Sequence, residues 1–561
     1  MSHLNSMQFF RSKFIIIKNC TVFLFSLLIA NLSFSNDSFS NDSFSSNSLS
    51  NTPHIDFVEN KLHQIAPLAN GSVWQRTSGN KIAGYGQQED SWLLQTPNCW
   101  GDASCANTGA LERLANTIEQ DISAAKYWVD ITTLVTYPDG IFQRAIVAGI
   151  KSAYAKYPSV HFRILGGTPP ALGNFNTAYS ETAHHYLTRL KADLGPEADR
   201  MKISVAGVET SWLYSWNHSK IVAVDGNTSI VGGHNMWEAA YGQVANPVSD
   251  LTMRLEGPAS RASQDFADLL WEFTCKWQSG AINTTFYVDY YATAAVSSCP
   301  SEYIIPDFAA TGSVEVLALG GLGFGMENPD EGAPGIANAN DKYADCSFFF
   351  TDYINQNKDY SNANPEEEGL RLFIESARQS VFISQQDLIA ACVPPFANSY
   401  YDARLFDVLA KQLTNNVKIQ IVVSSPGATQ GAAAPYSNMK KMTEISDILL
   451  RKLAKNEGLS TTQAKQMVCQ NLQLAPLNIA SGVTAWENGN TIANHSKTIA
   501  VDGAAFYIGS KNLYPASLQD FGYIVENAKA AGEYYQYYQQ PMWNNSKGSA
   551  VVDFERGVCA I

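Results

Sequence analysis

Charge and histidine are both scarce in this chain. Only 16% of its 561 residues are Asp, Glu, Lys or Arg, and only nine are His. The positive side is the weaker: 38 Lys and Arg stand against 52 Asp and Glu, for a formal net charge of −14. That balance speaks against a general nucleic-acid binder, which needs positive potential facing the phosphates. No two cysteines stand in a Cys-x2-Cys spacing, and the few histidines form no ligand cluster, so neither a metal nor another cofactor is expected. The glycines of Gly320 to Gly325 fit no phosphate loop, because they miss the Gly-x-Gly-x-x-Gly spacing and no Gly-Lys-Ser/Thr follows. Beyond the first 35 residues no apolar run is long and clean enough for a transmembrane helix. An apolar fraction of 45% with so little charge excludes a disordered chain and fits a globular one.

The N-terminus has the composition of an export signal. Arg11, Lys13 and Lys18 precede an apolar stretch from Thr21 to Phe34, too short to span a bilayer comfortably. Residues 1–35 are therefore expected to be a signal peptide and the product to be secreted, with a retained membrane anchor as the competing reading. Residues 36–53 repeat Asn-Asp-Ser-Phe-Ser units, which cannot bury a core and predict a low-complexity tether. Eight later cysteines, an even number in an exported chain, read as disulfides. Pairing of sequence neighbours predicts Cys99–Cys105, Cys275–Cys299, Cys346–Cys392 and Cys469–Cys559.

From His54 onward, β-branched apolar segments alternate with helical patterns. Strands are predicted at Tyr127 to Leu134, Val160 to Leu165, Met201 to Ala206 and Lys220 to Val224, with helices at Thr108 to Ala125 and Thr182 to Leu194. The second half repeats the alternation. Its strands are predicted at Val381 to Ser384, Val417 to Val423 and Lys497 to Val501, and its helices around Pro365 to Gln379, Ala403 to Leu413 and Met439 to Ala454. This order implies an α/β fold. Residues 54–319 form one expected lobe and 346–561 the other, joined by a Gly-, Asn-, Pro- and Asp-rich loop at 320–345.

What the chain does contain is a duplicated motif. His218-Ser219-Lys220 is followed by Asp225, and His495-Ser496-Lys497 by Asp502, in the same His-x-Lys-x4-Asp spacing. Each copy then runs into a small-residue turn ending in Asn: Gly232-Gly233-His234-Asn235 and Gly509-Ser510-Lys511-Asn512. Two copies with the same downstream turn indicate an internal duplication. At the start of a strand, His and Lys two apart project to one face. Two imidazoles can divide the work on a phosphodiester: one attacks phosphorus, the other protonates the departing oxygen. Lys220, Lys497, Asn235 and Asn512 can hold the phosphoryl oxygens.

The imidazoles need different protonation states, so each calls for a carboxylate on its other ring nitrogen. Asp250 and Asp520 are the candidates, and solvated turn aspartates are the alternative reading for both. Asp225 and Asp502 complete the motif set, but their distance along the strand suits pinning of a turn better than chemistry. His184 and His185 fall in a helical pattern with no acidic or Cys ligands at metal spacing, and His234 has no assigned chemical role.

The paired motifs resemble those of the phospholipase D superfamily, and the surrounding chain resembles the secreted bacterial phospholipases D of the Streptomyces type. The likeness runs from about His54 to Ile561. It includes Val73 to Asn80, Trp92 to Pro97, Ser215 to Lys220, Ile383 to Leu388 and Phe506 to Gly522. It implies two similar lobes, each a mixed β-sheet flanked by helices, related by a pseudo-twofold with the active site at their interface. It implies a monomeric enzyme acting at a phospholipid membrane surface, releasing phosphatidic acid and free headgroup through a covalent phosphohistidine, with headgroup exchange when another alcohol is present. His218 would be the nucleophile and His495 the acid, with Asp250 and Asp520 orienting them. Trp237, Tyr241 and Tyr436 would shape the headgroup pocket, where aromatic faces attract a choline ammonium. The alternative within the superfamily is a nuclease or other phosphodiesterase, which the acidic charge opposes. Gly233 where the family more often has Ser, and the Asn/Ser tether, depart from the shared pattern.

Overall fold

The structure is a computed structural model that describes residues 51–561 apart from 106–108, 135, 168–180, 182, 212–214, 243–245, 277–285, 290–304, 309, 311, 324–325, 327–328, 331–363, 392–398, 431–433 and 517. Its order begins at helix Pro53–Ile65, next to the expected start at His54. The fold is mixed α/β.

In the first half, strands Trp128–Leu134, His161–Gly167 and Lys202–Ser211 run parallel in that order. On the other edge of Trp128–Leu134 lies Ile221–Val224, antiparallel, followed by an antiparallel meander through Thr228–Gly232 to Asp250–Glu256. The second half repeats the plan. Ser380–Gln385, Lys418–Val423 and Leu472–Pro476 run parallel, Lys497–Val501 lies antiparallel on the far edge of the first, and the meander continues through Ala505–Gly509 to Asp520–Glu526. Parallel neighbours need long crossovers, and helices such as Gly140–Lys156 and Ala403–Thr414 supply them. Strand Trp74–Ile82 joins the two runs, pairing first with Val314–Gly321 and then, at Lys81 and Ile82, with Asp250–Glu256. Residues from Ser50 to Ile561 form one compact unit.

The strands that carry the motifs are buried on both sides: every residue of Ile221–Val224 and Lys497–Val501 is buried. Continuous burial explains why these segments read as unbroken apolar runs rather than alternating ones. Helix Pro258–Lys276 packs across the strands of the first run and Trp74–Ile82.

Two segments differ from the sequence reading. Gly320 and Gly321, assigned to the connecting loop, are the last residues of strand Val314–Gly321, paired with Phe521 and Asp520. They are glycines because space demands it: a Cβ on Gly320 would come within 2.5 Å of the Phe266 ring, and one on Gly321 within 2.8 Å of Glu366. The helix expected from Met439 starts at Glu444, because Ser437 and Asn438 are held by another element. Cys99–Cys105 and Cys469–Cys559 are bonded as expected. The other two pairs involve Cys299, Cys346 and Cys392, outside the described residues. Among the described residues no helix is long and apolar enough to cross a membrane.

Candidate active site

The repeat begins one residue earlier than His. Asn217-His218-Ser219-Lys220 and Asn494-His495-Ser496-Lys497 make the same contacts twice. Asn217 Oδ1 accepts from Ser219 N–H at 3.1 Å and its hydroxyl at 2.6 Å, and Asn494 does the same for Ser496 at 3.1 and 2.7 Å. Each serine also meets a hydroxyl of the central strand, Thr132 at 2.8 Å and Ser384 at 2.7 Å. A residue between two side chains locked in this way has little freedom, so both imidazoles are aimed before any substrate arrives. The lysines match too: Lys220 Nζ donates to the His218 carbonyl and Lys497 Nζ to the His495 carbonyl, each at 2.5 Å.

Backbone bonds cross from one half to the other at the same places. His218 N–H donates to Gln519 O and His495 N–H to Ser249 O, both at 2.7 Å. Each histidine is thereby set beside the residue that follows its partner, and that residue is the carboxylate. His218 Nδ1 lies 2.8 Å from Asp520 Oδ1, and His495 Nδ1 lies 2.7 Å from Asp250 Oδ2. Each imidazole thus pairs with an aspartate from the opposite half of the chain. Asp250 and Asp520 are not turn residues; they are the first residues of two buried strands. A carboxylate can only accept, so Nδ1 carries the hydrogen in both rings, and Nε2 has no hydrogen-bond partner among the described residues.

Electrostatics joins the two motifs into one site. Burial, with the nearby Lys220, pushes His218 down to about 4; burial with Lys497 pushes His495 down to about 3. Lys220 feels Lys497, Asp520 and Asp250, and burial takes it well below its ordinary value. Burial brings Lys497 to about 7 against the pull of both carboxylates. Burial alone would raise Asp250 and Asp520, but the surrounding imidazoles and lysines outweigh it and hold both below the usual carboxylate range. The resting site therefore has neutral imidazoles and ionised carboxylates, with burial weakening the charge on both lysines.

The two carboxylates are supported differently. Asp520 accepts from the Ser510 hydroxyl at 2.7 Å, and the Lys511 ammonium stands 4.0 Å from it. At Asp250 there is no serine: Gly233 occupies that position, and a Cβ there would come 2.0 Å from Asp250 Oδ1. The Tyr241 hydroxyl takes over, donating to Asp250 Oδ2 at 2.8 Å. The Gly-for-Ser departure is thus matched by a tyrosine. Tyr241, expected to line a headgroup pocket, is instead buried against the carboxylate behind His495. Tyr436 packs edge-on to the His495 ring at 5.2 Å, and Trp237 is half-buried with its indole N–H on Thr136 O at 2.6 Å.

Asn235 and Asn512 end the two turns that follow the motifs. Among the described residues, Oδ1 of Asn235 and both Oδ1 and Nδ2 of Asn512 are buried without a hydrogen-bond partner. Nδ2 of Asn512 is a donor of the kind that suits a phosphoryl oxygen, whereas the orphan atom of Asn235 is an acceptor.

Asp225 and Asp502 do not join the constellation. Both have left-handed backbone (φ of 54° and 53°), and their carboxylates bind consecutive backbone N–H groups. Asp225 takes those of Lys126, Tyr127 and Trp128, and Asp502 those of Arg378, Gln379 and Ser380, all between 2.7 and 2.9 Å. Five residues of strand separate each from its lysine, roughly 16 Å at the usual rise. They pin the start of the central strand of each half, so their place in the catalytic set is corrected to a structural one. His234 is structural as well, with both ring nitrogens on threonine hydroxyls, Thr96 and Thr252, at 2.8 Å. His184 and His185 lie on helix Ala183–Leu194, away from the site's partners. Among the described residues no group of His, Cys, Asp and Glu could hold a metal ion.

The Asn, Ser, Thr132 and Ser384 supports were not singled out in the sequence. The four-residue identity Asn-His-Ser-Lys was the signal that could have found the first two.

The geometry sets each histidine on an aspartate from the other repeat, His218 on Asp520 and His495 on Asp250. No family model matches the chain. A curated relative does: the chain is 41% identical over 505 residues to the phospholipase D of Streptomyces antibioticus, covering 89% of this chain and 88% of that one. The chain belongs to the phospholipase D family. Among solved structures, it is similar to the phosphatidylserine synthase of Haemophilus influenzae (14% identity, 88% of this chain and 91% of that one, TM-score 0.48). It is also similar to the phospholipase D family member Nuc of Salmonella typhimurium (16% identity, 31% and 83% covered, TM-score 0.17).

Proposed function

We propose that this protein is a phospholipase D, hydrolysing phosphatidylcholine and related glycerophospholipids to phosphatidic acid and free headgroup. The observation that carries the reading is the reciprocal pairing of His218 with Asp520 and His495 with Asp250. Each ring keeps Nε2 free on the side away from its carboxylate, which is what a nucleophile and an acid on one phosphorus both require.

The steps follow from these groups. A phosphodiester monoanion entering the site favours the imidazolium, and Asp250 stabilises that cation at His495. The Nε2 lone pair of neutral His218 attacks phosphorus. The P–O bond to the headgroup breaks, and the departing oxygen takes the Nε2 proton of His495. Lys220, Lys497 and the amides of Asn235 and Asn512 balance charge on the phosphoryl oxygens. In the second step the now neutral His495 takes a proton from water, whose oxygen attacks phosphorus. The P–N bond to His218 breaks and phosphatidic acid leaves. An alcohol in place of water gives headgroup exchange. The chain's own groups supply nucleophile, acid and countercharge, so no cofactor enters.

The same reading takes residues 1–35 as an export signal and 36–53 as a tether, so that the enzyme works outside the cell as a monomer. It takes the two repeated halves as lobes related by a pseudo-twofold; the repeated strand order and the matched Asn-His-Ser-Lys contacts support this. The test is choline release from phosphatidylcholine vesicles, with and without ethanol. Phosphatidic acid alone, then phosphatidylethanol when ethanol is present, are the expected products. Cleavage of plasmid DNA with intact lipid would overturn the reading in favour of a nuclease.

A further inference from the structure

A segment seated on His495 is tied to the end of the neighbouring strand through the carboxylate of Asp387. Tyr436 lies edge-on to the His495 ring, planes at 76°, and is buried. Its N–H donates to Ala428 O at 2.7 Å, closing the small hairpin of Thr429–Gln430 and Ala434–Pro435. The next two residues are held by Asp387, whose Oδ2 accepts Asn438 N–H at 2.7 Å and the Ser437 hydroxyl at 3.3 Å. Its Oδ1 accepts Leu388 and Ile389 N–H at 2.7 and 3.0 Å, and the Asn438 amide returns to Ile389 O at 3.1 Å. Asp387 is fully buried, two residues beyond strand Ser380–Gln385, whose Ser384 and Gln385 hold Asn494 next to His495.

None of the partners of Asp387 is a cation, and burial pushes its carboxyl up to about 6 against these bonds. A buried carboxylate without countercharge is costly, and here four neutral donors offset that cost while fixing two strands of chain to each other. On the phospholipase D reading, the leaving headgroup stands at His495, so whatever packs on that ring borders the headgroup.

We infer that Asp387 is a positioning residue for headgroup selection: it fixes Ser437 and Asn438 so that Tyr436 stays edge-on to His495 and walls the pocket of the departing alcohol. The inference rests on the proposed function above. It is tested with Asp387→Asn, which keeps the shape but sets an amide NH2 against backbone N–H on one side or the other. Ser437→Ala, which removes the longest of the four bonds to Asp387 together with the hydroxyl's contact to Met439 N–H, guards against loss of folding in the first variant. The readout is kcat/KM on vesicles of phosphatidylcholine and of phosphatidylglycerol with matched acyl chains. The ratio between the two lipids is expected to change by about fivefold or more in Asp387→Asn, mostly through KM, and in the same direction by less in Ser437→Ala. Equal losses on both lipids, or an unchanged ratio in whichever variant folds, would overturn the inference. A wild-type enzyme inactive on both lipids would overturn the proposed function and this inference with it.

Discussion

Replacing Asp250 with Asn removes one negative charge and almost no volume, yet the structure leaves no comfortable place for the new amide. Oδ1 of Asp250 accepts Leu251 N–H at 2.8 Å, while Oδ2 accepts both the Tyr241 hydroxyl and His495 Nδ1. An NH2 at either position therefore faces a donor. The larger effect is electrostatic, because His495 must become a cation to protonate the headgroup and Asp250 is its fully buried countercharge. Breaking a buried pair by removing one partner costs about 3–5 kcal/mol. At about 1.4 kcal/mol per tenfold, kcat should fall roughly 10²- to 10⁴-fold. Tyr241→Phe is the graded control: it removes one hydrogen bond to a charged group, worth about 1.5–3 kcal/mol, and should cost about 10- to 100-fold. Initial rates of choline release at neutral pH, on protein checked for native unfolding temperature, give both numbers. Asp250→Asn retaining more than a tenth of wild-type kcat would refute the cross-paired dyad.

Gly233→Ser should be more damaging than Ser510→Gly, although the two exchange the same residues. The first drives a Cβ into Asp250 and the second deletes one bond to Asp520, so assays of the pair should differ by at least about tenfold. Asp225→Ala should lower stability by about 2–4 kcal/mol in urea unfolding, with kcat of the folded enzyme within a few-fold of wild type. Complete loss of turnover in a folded Asp225→Ala would contradict its pinning role. For pH, burial holds His234 at about 4 in the folded state against 6.5 unfolded. Its depressed value makes its contribution full above pH 6.5 and lost as pH falls through 4, a decline of about 3 kcal/mol. Urea midpoints between pH 7 and 4 should fall less steeply in His234→Asn; an identical slope would show that the histidine charges freely.

Both histidines and lysines were legible in the sequence because the duplication marks them and because they neighbour buried, unbroken apolar strands. The central strands were legible for the same reason. The pairing was not. Asp520 is 302 residues from His218 and Asp250 is 245 from His495, and spacing cannot show that two halves exchange carboxylates. Composition misled at Gly320 and Gly321, where small residues mean close packing in a strand rather than a loop. Resemblance put Tyr241 at the headgroup pocket but could not show its hydroxyl on Asp250, where Gly233 offers no serine. Membership of the motif put Asp225 and Asp502 in the catalytic set, although their position along the strand already pointed to the turn-pinning contacts they make.

The account stands on His218 and His495 acting on one phosphorus in different roles. Mass spectrometry of His495→Ala, mixed with phosphatidyl-p-nitrophenol, whose leaving group needs no acid, then quenched in neutral denaturant and kept out of acid to preserve the P–N bond, tests this directly. The expected result is one burst of p-nitrophenol per enzyme and a phosphatidyl adduct on the peptide containing His218, absent in His218→Ala. An adduct on another residue, or full turnover by either variant without one, would contradict it.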